Sequence, residues 1–287
     1  MRESDLIAGL DQQQLDNFVD YVLSEDLGSG DVTSRVSVPA SARFSAVLAA
    51  RQPIVVAGLQ LAAAFFRKLN PEVAIEFLVQ DGDNVAAGQP LLRIAGSAQL
   101  MLAAERSALN TLQHLTGIAT VTRSYVEAIA GTDCVLLDTR KTIPGLRAIE
   151  KYAAKVGGAR NHRMRLDDGI LIKDNHIAAA GSIVEAVKAA KAANTGLEVQ
   201  VEVDGIEQIE PALTAGADRL LCDNMSPAKL KGAVALVGGR VPIEASGGVR
   251  LDTIREIAST GVDFVSVGRI TQSAPAADIG LDYALSS

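Results

Sequence analysis

Short β-branched runs alternate with longer apolar stretches of helical spacing in the second half of the chain. The runs predict strands at 134–138, 170–173, 199–203, 219–222, 241–245 and 263–267. The stretches predict helices at 146–156, 183–193, 206–215, 227–237 and 251–260. Gly216 and Gly261 follow two of these helices, where C-capping glycines are expected. Regular alternation of strand and helix is typical of a parallel α/β fold.

The first third of the chain has a different pattern. Apolar residues between Leu15 and Leu23 recur at helical spacing and predict an amphipathic helix, which ends in the glycine-rich turn at 27–31. Residues 42–95 break into short strand-like pieces at proline and glycine turns. One piece, DGDNVAAGQPLLRI, resembles the hairpin of biotinyl and lipoyl carrier domains, but no lysine stands at its tip. We expect a small mixed domain without a carrier role.

Residues 100–130 connect these two patterns. They are rich in Ala, Leu and Glu and lack proline, so they predict helix, with Gly117 as the break between two segments. The predicted N-terminal domain is 1–115, including the linking helix. The predicted catalytic domain is 116–274, and packing of the tail 275–287 back on the first domain stays open. The fold class is α/β, with a C-terminal (β/α) barrel, open or six- to seven-stranded, and a smaller N-terminal mixed α+β sandwich-like domain.

Composition excludes several classes of protein. The chain has 287 residues, 48% of them apolar, which is enough to bury a large core. A net charge of -7 and 3% aromatic residues argue against a nucleic-acid surface. Residues 1–5 lack a basic and apolar leader, and no apolar run spans a bilayer, so a cytoplasmic location is expected. Cys134 and Cys222 are interpreted as buried reduced thiols without a chemical role.

Cations concentrate between residues 139 and 165, in a chain that is acidic overall. They are Arg140, Lys141, Arg147, Lys151, Lys155, Arg160, Arg163 and Arg165, with Glu150 as the single acid. Such a cluster focuses anions at one place, and the arginines beside His162 supply planar donors for carboxylate or phosphate. The cluster indicates a small, multiply anionic substrate.

Polar residues follow the predicted strands. In (β/α) barrels the carboxyl ends of the strands carry the active site, so Arg140, Lys141, Lys173, Glu202 and Asp223 are expected around one cavity. Chains leaving a sheet for water also carry polar residues, but Lys173 and Glu202 lie inside predicted strands. Alternation at 199–204 turns Glu202 into the barrel, where a carboxylate needs a partner.

Two further patterns suggest what binds in such a cavity. Glu202 and Asp223 form a candidate Mg²⁺ pair, since this ion takes one or two carboxylates together with phosphate oxygens. Ser246-Gly247-Gly248 and Gly268 follow the last two strands, where barrel enzymes bind phosphate through backbone N–H groups. Together with the cations, they indicate a phosphorylated, metal-bound ligand beside an anionic one.

A series of motifs carries a family resemblance over nearly the whole chain. The motifs, in order, are ERSALN, LQHLTGIAT, DTRKTIPGLR, GGARNHR, LIKDNH, VEVD, DNM, EASGG and VDFVSVG. They resemble quinolinate phosphoribosyltransferases, also called carboxylating nicotinate-nucleotide pyrophosphorylases. Cys222 stands where an aliphatic residue is usual, and Gln272 where many relatives have histidine, so no role is assigned to Gln272.

The resemblance implies that quinolinate and phosphoribosyl pyrophosphate react, with Mg²⁺, to nicotinate mononucleotide, pyrophosphate and CO₂ in de novo NAD biosynthesis. It implies that Thr139, Arg140, His162, Arg163 and Lys173 hold the dicarboxylate. It implies that Arg106 reaches the site of a neighbouring subunit, so that a homodimer is the minimum assembly and higher oligomers stay open. It assigns Lys141, Glu202 and Asp223 to catalysis around the ribose, pyrophosphate and metal. It assigns Lys141, Ser246, Gly247, Gly248 and Gly268 to binding of phosphoribosyl pyrophosphate.

Other charged residues have simpler interpretations. Arg147, Lys151 and Lys155 repeat every four residues and predict the solvated face of a helix. His114 is expected to make a hydrogen bond in helix packing. His176 fits either a site residue or a support for Lys173.

Three alternative functions stay open on the sequence. A Schiff-base lyase would use Lys173 or Lys141 as its amine, but leaves the arginines and glycine loops without a role. A metabolite sensor or carrier lacks an acceptor lysine and an output domain. A nicotinate phosphoribosyltransferase would bind a monocarboxylate, whereas the cations around His162 favour a dicarboxylate.

Overall fold

The computed structural model describes residues 7–285, and the chain divides into two compact units. The first unit contains the chain up to Arg123, Gly145–Gly157 and the segment from Ser273. The second contains Ser124–Pro144 and Gly158–Gln272. By this division the first unit extends through Arg123, and the helix after Gly145 also belongs to it. Residues 1–5, in which a leader was sought, lie outside the described residues.

The elements follow one another along both units. The strands are β1 (Arg43–Ala50), β2 (Ile54–Val55), β3 (Ala74–Phe77), β4 (Asn84–Val85), β5 (Pro90–Ser97), β6 (Val135–Leu137), β7 (Ile170–Ile172), β8 (Val199–Val203), β9 (Arg219–Asp223), β10 (Ile243–Ser246), β11 (Phe264–Ser266) and β12 (Ile279–Leu285). The α-helices are α1 (Gln12–Leu27), α2 (Val32–Ser37), α3 (Leu59–Leu69), α4 (Ala98–Ala128), α5 (Arg147–Gly157), α6 (Asp174–Ala180), α7 (Ile183–Ala192), α8 (Ile209–Ala215), α9 (Pro227–Val237), α10 (Ile254–Ala258) and α11 (Arg269–Gln272). A short 3₁₀ helix, Ile206–Gln208, precedes α8.

The first unit is built on an antiparallel sheet in the order β12-β1-β5-β3. The tail strand β12 pairs with β1 from Phe44↔Leu285 to Ala50↔Ile279. Strand β4 pairs with β2 in a separate two-stranded sheet, so the carrier-like hairpin of β4 with β5 is wrong. The two pieces of that motif belong to different sheets.

Helix α3 lies where only strand-like pieces were expected. Its first turn is held by the Asp81 carboxylate, which accepts hydrogen bonds from Gly58 N (2.8 Å) and Leu59 N (3.1 Å). Phe65 and Phe66 are fully buried on it. The helix cap comes from a residue far along the chain, so the local pattern of apolar residues did not reveal it.

Helix α4 is continuous through Gly117, and the predicted break there is wrong. A Cβ at Gly117 would collide with the Pro275 carbonyl oxygen and lie 3.2 Å from Ala276 Cα. Glycine is therefore needed because the tail approaches the helix backbone closely, and its lower helix propensity is outweighed by packing.

Helix α5 does not have the solvated cationic face that was predicted. Lys155 is exposed, but Lys151 and Glu150 are fully buried. His114 Nε2 lies 2.8 Å from Glu150 Oε1, which confirms the expected packing hydrogen bond of His114. A four-residue repeat of cations identifies one helix face but does not tell whether water or protein covers it.

The second unit is a parallel six-stranded sheet in the order β6-β11-β10-β9-β8-β7. It confirms the open (β/α) barrel: β6 and β7 are its edge strands, and within the described residues they do not pair with each other. All six predicted strands are present. The helices α6 and α11 were not predicted, because α6 is short and buries none of its residues, and α11 has only four residues.

Both cysteines are buried, and burial raises the pKa of Cys134 to about 12 and that of Cys222 to about 11. At neutral pH they are thiols, as expected for residues without a chemical role. Over residues 7–285, no helix has the length and apolar character needed to cross a membrane.

Candidate active site

A cavity of about 820 Å³ opens at the carboxyl ends of the strands in the second unit. Its lining contains Thr139, Arg140, Lys141, His162, Arg163, Lys173, Glu202, Asp223, Ser246, Gly247, Gly248 and Gly268. These are all the predicted site residues of the barrel, and they are brought together as the positions of the strand ends require. Arg106 is not in this lining: it is exposed on α4, in the first unit.

Lys173 and Glu202 form an ion pair at the ends of β7 and β8. The pairing of Ile172 with Val201 sets the register, so the next residue on each strand meets its counterpart. The Glu202 side chain is 15% exposed and that of Lys173 43%. The partner expected for a carboxylate facing the barrel interior is therefore Lys173.

His176 supports the backbone of Lys173. Its Nδ1 accepts a hydrogen bond from Lys173 N at 3.0 Å, at the start of α6. Its side chain is exposed and it is not among the residues that line the cavity. Of its two interpretations, the geometry agrees with the supporting role.

The buried Asp138 fixes the loop that carries His162. Its carboxylate accepts hydrogen bonds from His162 N (2.7 Å) and Asn161 Nδ2 (2.6 Å). Because Asp138 directly follows β6, these bonds hold the 161–163 loop beside the end of that strand. Side-chain hydrogen bonds to backbone are an effective way to fix a loop of irregular conformation.

The cations of the cavity repel one another. Burial and the neighbouring Arg140 charge lower the pKa of the Arg163 guanidinium, with Asp168 opposing them. Arg163 Nη1 donates to Gly169 O at 3.0 Å, which sets the direction of the side chain. Because the guanidinium stays charged at neutral pH, a bound anion would relieve this repulsion.

The loop after β10 requires glycine at Gly247. Its φ is +90°, and a Cβ there would collide with the Asn224 side chain and lie 2.8 Å from Asn224 N. Asn224 is itself held by hydrogen bonds from its N to Ser246 O (2.9 Å) and from its Nδ2 to Asp223 Oδ2 (2.7 Å). The backbone of this loop is thereby exposed to the cavity without side-chain cover.

The acid pair can hold a divalent cation only with help from a ligand. No cluster of three or more His, Cys, Asp or Glu with metal-binding geometry occurs within residues 7–285. Glu202 and Asp223 both line the cavity, beside the glycine loop. This donor set fits Mg²⁺, which commonly combines one or two carboxylates with substrate phosphates.

Several lining residues were missed by the sequence analysis, and Glu244 is the most notable of them. It is fully buried in β10 and accepts hydrogen bonds from Gln200 Nε2 and Arg219 Nη2, both at 2.8 Å. The signal was available, since a glutamate within the apolar run VPIEA resembles Glu202 within VQVEV. Arg250, Ser266, Arg269 and Gln272 also line the cavity without having been assigned to it.

Comparison with known proteins gives the same family for both parts of the chain. Residues 31–116 match the family model "Quinolinate phosphoribosyl transferase, N-terminal domain", and residues 118–282 match the corresponding C-terminal domain. The nicotinate-nucleotide pyrophosphorylase [carboxylating] of Mycobacterium leprae is 42% identical over 266 residues, covering 91% of this chain and 94% of that protein. The probable enzyme of the same name from Bacillus subtilis is 39% identical, covering 96% and 95%.

The solved structures agree. The nicotinate-nucleotide pyrophosphorylase of Francisella tularensis superposes with a TM-score of 0.93 at 37% identity, over 98% of this chain and 99% of that one. The similarity thus extends over both units, and at this level of identity it reflects common descent as well as a common fold. The chain belongs to the quinolinate phosphoribosyl transferase family.

Proposed function

We propose that the chain transfers the phosphoribosyl group of phosphoribosyl pyrophosphate to quinolinate with decarboxylation. The products are nicotinate mononucleotide, pyrophosphate and CO₂, and the reaction serves de novo NAD biosynthesis. Family membership supports this activity: one relative, from Nicotiana tabacum, is named quinolinate phosphoribosyltransferase [decarboxylating] and is 38% identical. The observation that carries the proposal is the joining of a cationic cavity wall and a bare glycine loop in one barrel mouth.

The dicarboxylate binds at the cationic wall. Arg140, Arg163 and Lys173 supply positive charge, and Thr139 adds a hydroxyl beside them. The lowered pKa of Arg163, caused by burial and by Arg140, supports a site made for more than one negative charge. His162 also lines the cavity.

Phosphoribosyl pyrophosphate binds at the glycine-rich part of the lining. Backbone N–H groups of Ser246, Gly247, Gly248 and Gly268 donate hydrogen bonds to its phosphate groups, and Lys141 contacts the departing pyrophosphate. At Gly268 a Cβ would lie 2.8 Å from Lys141 Cδ, so a side chain there would press against that lysine. The absence of side chains lets the phosphate approach the backbone closely.

Glu202 and Asp223 are the residues that would hold Mg²⁺ together with the pyrophosphate oxygens. When bound, the ion supplies charge neutralisation of the leaving group. Turnover should be lost in excess chelator and recovered on adding Mg²⁺.

The residues promote the reaction by position and electrostatics. As the anomeric carbon loses pyrophosphate, positive charge grows on the ribose and is stabilised by the Glu202 carboxylate. Negative charge grows on the leaving group and is stabilised by Lys141. Alkylation of the ring nitrogen makes it positive, so it stabilises the electron pair left on the adjacent ring carbon when the C–C bond to CO₂ breaks. That carbon then takes a proton from water to give nicotinate mononucleotide. Arg140, Arg163 and Lys173 hold the ring so that nitrogen and anomeric carbon meet.

The Schiff-base alternative is disfavoured by the geometry around Lys173. Its Nζ is engaged by the Glu202 carboxylate, whereas attack on a carbonyl needs an amine nitrogen that is directed at the substrate. No feature of the described residues favours the sensor function over the enzyme.

We further propose a homodimer in which Arg106 enters the partner's cavity. Complementation tests this sharply: Arg106→Ala and Lys173→Met should each be nearly inactive, yet mixed dimers would contain one intact site. Co-refolded equal amounts should recover about a quarter of wild-type activity, the value for random association into two-fold dimers. No recovery, despite dimers in light scattering, would remove Arg106 from the neighbouring site. A cytoplasmic location is also proposed, and cell fractionation tests it.

The activity itself is tested with purified protein, phosphoribosyl pyrophosphate and Mg²⁺. Quinolinate and nicotinate are supplied in parallel, and nicotinate mononucleotide and CO₂ are measured. Product from quinolinate alone supports the proposal, while product from nicotinate without CO₂ would identify a monocarboxylate enzyme. Product from neither would refute the proposed activity.

A further inference from the structure

A buried carboxylate lies beside His162 in the lining of the cavity. Glu244 is fully buried, and three donors converge on its Oε2. Gln200 Nε2 and Arg219 Nη2 each lie 2.8 Å away, and His162 Nε2 lies 3.3 Å away. A carboxylate removed from water is retained only with such partners, so its position is set by them and it sets theirs.

The hydrogen bonds of His162 determine where its proton lies. Arg163 N donates to His162 Nδ1 at 2.8 Å, and a backbone N–H can only donate. Nδ1 is therefore the unprotonated acceptor, and the single proton of the ring is on Nε2, which faces Glu244. A carboxylate at that position favours this tautomer, as second-sphere carboxylates do for other histidines.

Both ring nitrogens of His162 are thus occupied within the protein. The side chain is 14% exposed, and neither nitrogen is left to donate to a ligand while these contacts persist. The effect of His162 is instead passed to Arg163, since the imidazole holds the backbone N–H of that residue. The chain of contacts runs from Glu244 through His162 to the residue whose guanidinium lines the cavity.

Glu244 remains ionised in this setting. Burial alone would raise its pKa, but the hydrogen bond from His162, the charge of Arg219 and a hydrogen bond from Ser266 outweigh it, and the net pKa is lowered. Arg219 is fixed in turn, with its guanidinium 4.0 Å from the centre of the Phe264 ring. The carboxylate therefore anchors groups on two strands, β8 and β9, and on the 161–163 loop.

We propose that Glu244 is a positioning residue for the dicarboxylate half of the site, acting through the tautomer of His162 on the placement of Arg163. The inference rests on the proposed function. It also predicts that removing Glu244 weakens quinolinate binding, which is the opposite of what charge alone would predict. Removing a negative charge beside an anion site should tighten anion binding if charge alone mattered. Loss of positioning should weaken it.

The test compares Glu244→Gln with wild type in two measurements. Calorimetry gives the Kd of quinolinate alone, and steady-state kinetics gives the KM of each substrate. We expect the quinolinate Kd and KM to rise roughly tenfold or more, the effect of losing a charge-assisted hydrogen bond, with the phosphoribosyl pyrophosphate KM within about twofold. Tighter or unchanged quinolinate binding, or equal increases in both KM values, would overturn the proposal.

Glu150→Gln is the matched control. Glu150 is also fully buried and also faces a histidine Nε2, at 2.8 Å from His114, but it lies outside the cavity lining. It should lower the melting temperature without changing the quinolinate Kd. If Glu150→Gln weakens quinolinate binding to the same degree, the effect of Glu244→Gln comes from general destabilisation and the proposal fails.

Two further variants keep the test decisive. Glu244→Asp keeps the negative charge near Arg219, but its shorter side chain does not reach His162. It should therefore weaken quinolinate binding as Glu244→Gln does. It also serves if Glu244→Gln does not fold. In a His162→Gln background, Glu244→Gln should add less than about twofold, because residues acting in series are not additive. Additive losses would show that Glu244 acts by another route. Wild type without turnover would instead refute the proposed function, which separates the two failures.

Discussion

Replacing Gly247 with alanine should lower the free energy of unfolding far more than the same replacement at its neighbour Gly248, although both residues have positive φ. Gly247 has a φ of +90° and Gly248 a φ of +61°, so each variant must adopt a backbone that L side chains rarely take. The two differ in space. The nearest atom to a Cβ at Gly248 is Asn224 Oδ1 at 4.0 Å, whereas a Cβ at Gly247 would lie 2.8 Å from Asn224 N.

The magnitude follows from these two contributions. A left-handed backbone costs about 1–2 kcal/mol for alanine. A stiffer unfolded chain returns about 0.4–1 kcal/mol, so Gly248→Ala should lose roughly 1 kcal/mol. At Gly247 the collision is with backbone, and Asn224 cannot retreat without losing its bonds to Ser246 and Asp223. Overpacking of this kind costs about 1–3 kcal/mol more.

Thermal unfolding of the two variants measures the difference. At about 2–4 °C per kcal/mol for a protein domain of comparable size, a difference of about 1–3 kcal/mol means that Gly247→Ala should melt roughly 2–12 °C below Gly248→Ala. Displacement of Asn224 would also disturb Asp223, so the KM for phosphoribosyl pyrophosphate should rise more in Gly247→Ala. Equal melting temperatures would refute the reasoning, because the contact with Asn224 would then place no constraint on the loop.

Three other outcomes are expected. Lys173→Met should raise the quinolinate KM roughly 10- to 100-fold and lower the melting temperature, because the Glu202 carboxylate is left without its cation. Adding Glu202→Gln replaces that carboxylate with a neutral amide, so the double variant should recover stability but not turnover. The folded-state pKa of Glu244 lies below its ordinary 4.5, so its negative charge stabilises the fold above that pH. The difference in free energy of unfolding between wild type and Glu244→Gln, measured by urea denaturation, should therefore become smaller as the pH falls below 4.5. Cys222, with a pKa of about 11 against an ordinary 9.0, should resist iodoacetamide at pH 8 until urea is added, as followed by mass spectrometry.

The barrel and its cavity were accessible from sequence because each depends on a local and repeated signal. A strand followed by a polar residue recurs six times, and the geometry of a parallel sheet brings those residues to one edge. The inward direction of Glu202 followed from alternation within VQVEV, and its pairing with Lys173 agrees with it. The family resemblance then gave roles to residues that were already grouped by position.

The features that were missed depend on contacts between distant parts of the chain. Helix α3 receives its cap from Asp81, and Gly117 is required by the tail segment at Pro275. Lys151 looked like a solvated cation because its spacing matched that of Lys155, yet it is fully buried. None of these contacts can be predicted from a stretch of a few neighbouring residues, which is the range over which periodicity is informative.

Glu244 is a different case, since its signal was local but was not used. Within the EASGG motif, the resemblance assigns roles to the serine and the glycines but none to the glutamate. A glutamate inside an apolar strand is costly to bury without partners, so it should always be treated as a candidate for a designed polar contact. Gln200, on the inward face of β8, is one of the partners that the same alternation would have supplied.

The pairing of β12 with β1 has a consequence for synthesis on the ribosome. Arg51 and Asp282, which form an ion pair between the segments, are separated by 231 residues. At about 5–20 residues per second, translation leaves this edge of β1 without its partner strand for roughly 10–45 s. An unpaired strand edge is a template for association with other chains, so nascent protein should be most prone to aggregation during this interval. Slow codons in the part of the message that encodes the barrel would lengthen this interval. Chaperones that bind extended segments would reduce aggregation during it.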